Sequence, residues 1–117
     1  TVYYPGLQND HNHELAKKQM TGFGGILSFS LKGGIVATNK FLPKLKFAHL
    51  AANLGAVETT IGPITTTSHA ECTLEEIREA GIPEGLIRYS AGIENVADLI
   101  ADLEQAFHAV YETTSVR

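Results

Sequence analysis

The sequence predicts an α/β fold, and three observations carry that prediction. Short strand-like runs alternate along the chain with longer runs of helical period. Glycine and proline pairs mark the boundaries between them. The 117 residues, 44% apolar and 19% charged, suit one folded domain rather than a disordered chain. Strand–helix alternation leans towards parallel βαβ units, although every connection is long enough for either strand direction.

The elements follow in order. Val2 to Tyr4 reads as extended and stops at Pro5-Gly6. Asn9 or Asp10 can cap a helix running to about Met20, and residues 21–25 form a glycine-rich connector. From Ile26 to Lys32, Leu27, Phe29 and Leu31 alternate with Ser28, Ser30 and Lys32, the period of a strand with one buried face. Gly33-Gly34 ends it. Residues 39–53 read as helix, with Phe41, Leu45, Ala48 and Ala52 at helical spacing, and Pro43 fits only a first turn. Gly55 is a helix-ending position. Val57 to Ile61 reads as a strand closed by Gly62-Pro63, and residues 65–69 as a polar connector. Thr73-Leu74-Glu75-Glu76 fits a capping box, and Gly81 and Pro83 end that helix. Leu86 to Ala91 is a strand. Asn95 caps a last helix whose stripe is Val96, Leu99, Ile100, Leu103, Phe107 and Val110, with Asp98, Asp102 and Glu104 outside it. The count is four strands and four helices, without internal repeats.

Composition excludes several function classes. With 9 Lys and Arg against 13 Asp and Glu, the net charge is -4 and no basic stripe exists for nucleic acid. A single cysteine, Cys72, rules out an intrachain disulfide and multi-cysteine metal sites. No apolar run approaches the roughly 20 residues of a membrane span, and the first residues resemble no signal peptide. A cytoplasmic domain is expected. The chain starts on a strand-like triplet without a methionine, since the only Met is Met20, so it reads as a fragment or processed piece.

Few residues suggest chemistry on their own. His11, His13, His49, His69 and His108 show no metal-ligand spacing. The Gly22 to Gly25 stretch precedes a strand, whereas phosphate-cradling loops follow one and open a helix. Cys72 precedes a helix start but has no paired base in sequence. Arg88 is different: it sits within the otherwise apolar or small-residue run Leu86-Ile87-Arg88-Tyr89-Ser90-Ala91-Gly92-Ile93. A guanidinium there requires an acceptor. Either an internal carboxylate such as Glu94 or Glu58, or a ligand carboxylate, would serve.

Several segments, in order, resemble one family. They are Tyr4-Pro5-Gly6-Leu7; Gln19-Met20-Thr21-Gly22-Phe23-Gly24-Gly25 with Ser28-Phe29; Asn53-Leu54-Gly55-Ala56-Val57-Glu58; Thr67-Ser68-His69; and Leu86 to Glu94 followed by Asp98-Leu99-Ile100-Ala101-Asp102-Leu103. Together they resemble the C-terminal domain of the Cys/Met-metabolism pyridoxal-phosphate enzymes, which include cystathionine gamma-synthases, cystathionine and methionine lyases and homoserine-ester sulfhydrylases. The resemblance implies the small domain of fold-type I enzymes, a mixed, largely antiparallel sheet with helices on one side, in place of parallel units. Residues 1–117 would then be a substrate-carboxylate-binding domain, with the cofactor and its lysine in an upstream domain.

By the same resemblance Arg88 binds the substrate's α-carboxylate, with Asn53, Leu54 and Ser68 as further substrate-binding positions. Asn53 stands where the family has serine, so a hydroxyl is lost while an amide and backbone contacts remain. No catalytic or metal-binding residue is assigned within the chain. The implied parent is a homotetrameric lyase or transferase acting on sulfur amino acids or homoserine esters, with no nucleic-acid or membrane partner. A free-standing α/β module that binds an amino acid without catalysis is the alternative.

Overall fold

The computed structural model describes residues 1–67 and 69–112. Five strands form one sheet in the order β1 (Val2–Tyr3), β2 (Ile26–Phe29), β5 (Ile87–Ser90), β4 (Thr60–Pro63), β3 (His49–Leu50). All neighbours are antiparallel except β3 and β4. The parallel leaning drawn from alternation alone is thereby corrected, and the mixed, largely antiparallel sheet stands. The physical reason lies at the centre of the sheet, where β5 inserts antiparallel between β2 and β4. The connections through helices are long enough to bring each strand back in the opposite direction.

Alternation sorts the strand residues onto two faces. One face carries Phe29, Ile61, Ile87 and Tyr89, all buried. It packs on Phe41 of α2 (Gly34–Phe41) and on Leu103, Ala106 and Phe107 of α4 (Val96–Tyr111). The Phe41 and Phe107 rings stand 4.8 Å apart and Phe29 meets Phe41 edge-on at 5.9 Å, favourable aromatic geometries. The other face carries Tyr3, Ser28, Arg88 and Gly62 in one row across four strands.

Local signals predicted the later helices well. Thr73 and Glu76 close the expected capping box on α3 (Leu74–Glu79), and the Asn95 side chain caps α4 by accepting from the Ala97 amide. Helix α1 (His13–Gln19) starts later than the sequence suggested, with His13 hydrogen-bonded to the Pro5 carbonyl and stacked on Phe23. Among the described residues, no helix is long and apolar enough to cross a membrane.

The expected helix over 39–53 does not form. Helix α2 lies earlier, starting on Gly34, whose φ of 61° suits glycine. A 3-10 turn over Leu42–Lys44 follows, with Pro43 in its first positions, and β3 comes after it as a fifth strand. Pro43 cannot continue an α-helix. Beyond it the free amides go to Asp102: Lys46 N donates to Oδ1 at 2.8 Å, and Phe47 N and Ala48 N donate to Oδ2 at 2.9 and 3.4 Å. Asp102 lies off the apolar stripe as read, yet it is buried, at 4% exposure. Gln105 donates to it as well. Burial alone would push its carboxyl up, but these hydrogen bonds outweigh burial and hold it below the usual range.

Segment 51–59, between β3 and β4, is clamped by Thr60 at the start of β4, by β5 and by the turn after β5. The Ala52 carbonyl accepts from Arg88, the Asn53 carbonyl from the Thr60 hydroxyl, and the Gly55 amide donates to the Ser90 hydroxyl. The Ile93 amide donates to Val57 O, and the Gly92 amide to the Thr59 hydroxyl. The Glu94 carboxylate receives both the amide and the hydroxyl of Thr59, at 2.9 and 2.8 Å. Gly92 is required by packing, because a side-chain carbon there would collide with the Val57 and Glu58 backbone. The hydrogen bonds from the Thr59 backbone amide and hydroxyl hold the Glu94 carboxyl below its ordinary value.

Two expectations follow. Asp102→Ala leaves three amides without their acceptor and should destabilise the fold by about 2–3 kcal/mol, measured by chemical denaturation. The second concerns pH. A carboxylate whose folded pKa is depressed adds stability above its unfolded pKa, and that stability is lost as pH falls through the folded value. Glu94 and Asp102 both have this sign. Stability should therefore decline as pH falls below about 4, and the decline should be shallower in Glu94→Gln.

Candidate functional site

Arg88 is placed by strand alternation. Ile87 and Tyr89 take the buried core face, so the residue between them must project from the other. Its register partners are Ser28 on β2 and Gly62 on β4, one short side chain and one absent. Space for the long Arg88 side chain is thus built into both neighbours. Gly62 cannot be enlarged, since an added carbon would stand 2.7 Å from the Thr67 methyl.

Arg88 as a residue is half-buried, and one Nη of its guanidinium donates to the Ala52 carbonyl at 2.6 Å in an exposed hydrogen bond. Among the described residues no carboxylate lies within 4.0 Å of it. Both internal partners considered from sequence are thereby set aside. Glu94 is engaged with Thr59, and Glu58 forms no ion pair with Arg88. A carbonyl accepts one N–H and cancels no charge, so the fork keeps its positive charge and most of its five donors.

Asn53 and Leu54 follow Ala52 directly in the clamped segment. Both are exposed, Leu54 by 52%. The Asn53 carbonyl is held by Thr60, while neither the Asn53 nor the Leu54 amide donates a hydrogen bond among the described residues. The structure thus brings Arg88 against the residue preceding Asn53 and Leu54. Ser68 lies outside the described residues.

A cleft of about 470 Å³ lies along the β3 edge; Ala52 is among its described lining residues, and Arg88, Asn53 and Leu54 are not. Leu42, Pro43, Ala51, Ala52, Thr66 and Thr67 contribute to its lining. The Thr66 and Thr67 hydroxyls donate to the Pro63 carbonyl. These two threonines were not singled out from sequence. The only available signal was the Thr67-Ser68-His69 segment, which begins at Thr67 and directly follows Thr66.

Comparison with known proteins identifies the family. The sequence profile of the Cys/Met metabolism PLP-dependent enzymes matches residues 1–108. The L-methionine gamma-lyase of Fusobacterium nucleatum subsp. polymorphum is 50% identical over 109 residues, which are 93% of this chain and 28% of that enzyme. Cystathionine gamma-synthase 1, chloroplastic, of Arabidopsis thaliana is 42% identical over 93% of this chain and 19% of its own length. The crystal structure of cystathionine gamma synthase from Xanthomonas oryzae pv. oryzae in complex with cystathionine superposes with a TM-score of 0.92 at 41% identity, covering 97% of this chain and 29% of that one. The chain therefore spans less than a third of the length of these relatives. With a profile match over nearly its whole length, the chain belongs to the Cys/Met metabolism PLP-dependent enzymes.

Proposed function

We propose that this chain is the C-terminal, substrate-carboxylate-binding domain of a longer pyridoxal-phosphate-dependent enzyme acting on sulfur amino acids or homoserine esters. The observation that carries the proposal is the state of Arg88: anchored by a neutral carbonyl, unpaired with any described carboxylate, and half-buried. A charge kept this way is suited to an anionic ligand group rather than to an internal ion pair. The names of the relatives, among them an O-succinylhomoserine sulfhydrylase and cystathionine lyases, support the substrate class.

The chain's own residues supply positioning. The Arg88 fork offers parallel N–H donors to a carboxylate, fixing the orientation of the adjoining carbon. The Asn53 and Leu54 amides, which donate to no partner among the described residues, offer further donors beside the anchoring carbonyl. Pyridoxal phosphate supplies the family with an electron sink. Among the described residues, those lining the cleft include no lysine amine and no cationic group to cradle the cofactor's phosphate. The proposal assigns that cradle to the rest of the enzyme.

In the full-length protein, Arg88→Lys should raise KM for the amino-acid substrate about tenfold or more, because an ammonium cannot reproduce a bidentate fork. An unchanged KM would contradict the proposal. Titrating the isolated chain with pyridoxal phosphate, followed by fluorescence, should show no saturable binding. A tight one-to-one complex would relocate the cofactor site to this chain.

A further inference from the structure

We infer that Glu94, acting through Thr59, is a positioning residue for the Arg88 fork; the inference rests on the carboxylate-binding reading of Arg88. The Arg88 side chain has one hydrogen-bond partner among the described residues, the Ala52 carbonyl. That carbonyl belongs to an exposed residue outside any strand or helix, so its position is set by what holds its neighbours. Upstream, β3 is tied to β4 by the bonds from His49 N to Thr59 O and from Ala51 N to Ile61 O. Downstream, segment 53–59 is tied by Thr60, Ser90 and Glu94.

Thr59 is common to both attachments. It is fully buried, and every polar atom it has is used. Its carbonyl accepts from His49, its hydroxyl accepts from Gly92, and its amide and hydroxyl both donate to Glu94. Without the carboxylate, two buried donors lose their acceptors, which a buried site does not tolerate without moving. Movement at Thr59 passes to β3 through His49 and to the loop through the chain itself. The Ala52 carbonyl then loses its fixed place, and the Arg88 fork must be ordered by the ligand at binding. The role differs from that of a catalytic residue, since Glu94 is bonded to Thr59 and not to the guanidinium.

The test compares calorimetric affinities of the full-length protein for L-methionine and L-methionine amide, because their ratio isolates the carboxylate contact. Arg88→Met should abolish the preference for the acid. If wild type shows no preference, or Arg88→Met retains it, the carboxylate-binding reading itself fails. Glu94→Gln and Thr59→Val should shrink the preference about tenfold, the scale of one hydrogen bond to a charged group. Thr59→Ser, which keeps the hydroxyl, should restore it. The inference is overturned if Arg88→Met loses the preference while Glu94→Gln and Thr59→Val keep it. It is equally overturned if those two variants weaken acid and amide alike. Should either fail to fold, Ser90→Ala frees only the Gly55 amide and should lower the preference about threefold; an unchanged ratio in that variant rejects positioning by the clamp.

Discussion

Two carboxylates hold the stretch from Lys46 to Thr59, one near each end, and the candidate site depends on both. Asp102 collects the amides of residues 46–48 as the chain leaves the 3-10 turn. Glu94 collects Thr59 as the chain enters β4. Between them only the two residues of β3 are regular structure. Fixing an irregular backbone costs conformational entropy that no repeating ladder offsets. Side-chain acceptors therefore do here what a helix or sheet does elsewhere. Both lie close together in sequence, Asp102 within α4 and Glu94 just before its Asn95 cap. One helix and its lead-in thus organise a segment more than thirty residues upstream.

The Arg88 to Glu94 run has a physical meaning beyond its arginine. Arg88, Ser90, Gly92 and Glu94 alternate, and each contacts segment 52–59 through a side chain, an amide or a missing side chain. Ile87, just before this run, and Tyr89 within it fill the core, whereas Ala91 and Ile93, beyond the strand, are exposed. A strand of period two thereby serves packing on one side and loop binding on the other. Substituting the core-facing residues and the loop-facing ones would have different consequences, although they are adjacent in sequence.

What was legible in the sequence divides along the range of the interactions. The caps of α3 and α4 were readable because donor and acceptor lie within three residues. The core strands were readable from Phe29 and from Ile87 with Tyr89. The 39–53 helix misled because Phe41, Leu45, Ala48 and Ala52 do have helical spacing. Pro43 and a carboxylate more than fifty residues away decide against it. β3 was invisible for a related reason: two residues carry no period, and the strand exists only by pairing with β4. Arg88 was conspicuous as a cation among small and apolar neighbours. Its partner was not, because a backbone carbonyl 36 residues away leaves no mark on side-chain identity.

The nature of that partner is what separates a structural arginine from one available to a ligand. A carboxylate neighbour would take two donors and cancel the charge, leaving the fork little reason to accept another anion. A carbonyl fixes one edge of the guanidinium and leaves the charge intact. The protein around it is acidic overall, with a net charge of -4, so a carboxylate could readily have stood beside it. Instead the row across the sheet holds Ser28 and Gly62, and the two candidate glutamates make no ion pair with it. Glu94, the acid within the same motif, is occupied by Thr59. Engaging that carboxylate elsewhere and offering the arginine a neutral acceptor are therefore two parts of one arrangement. The clamp shapes the loop and, by the same bonds, keeps the nearest motif acid from neutralising the cation.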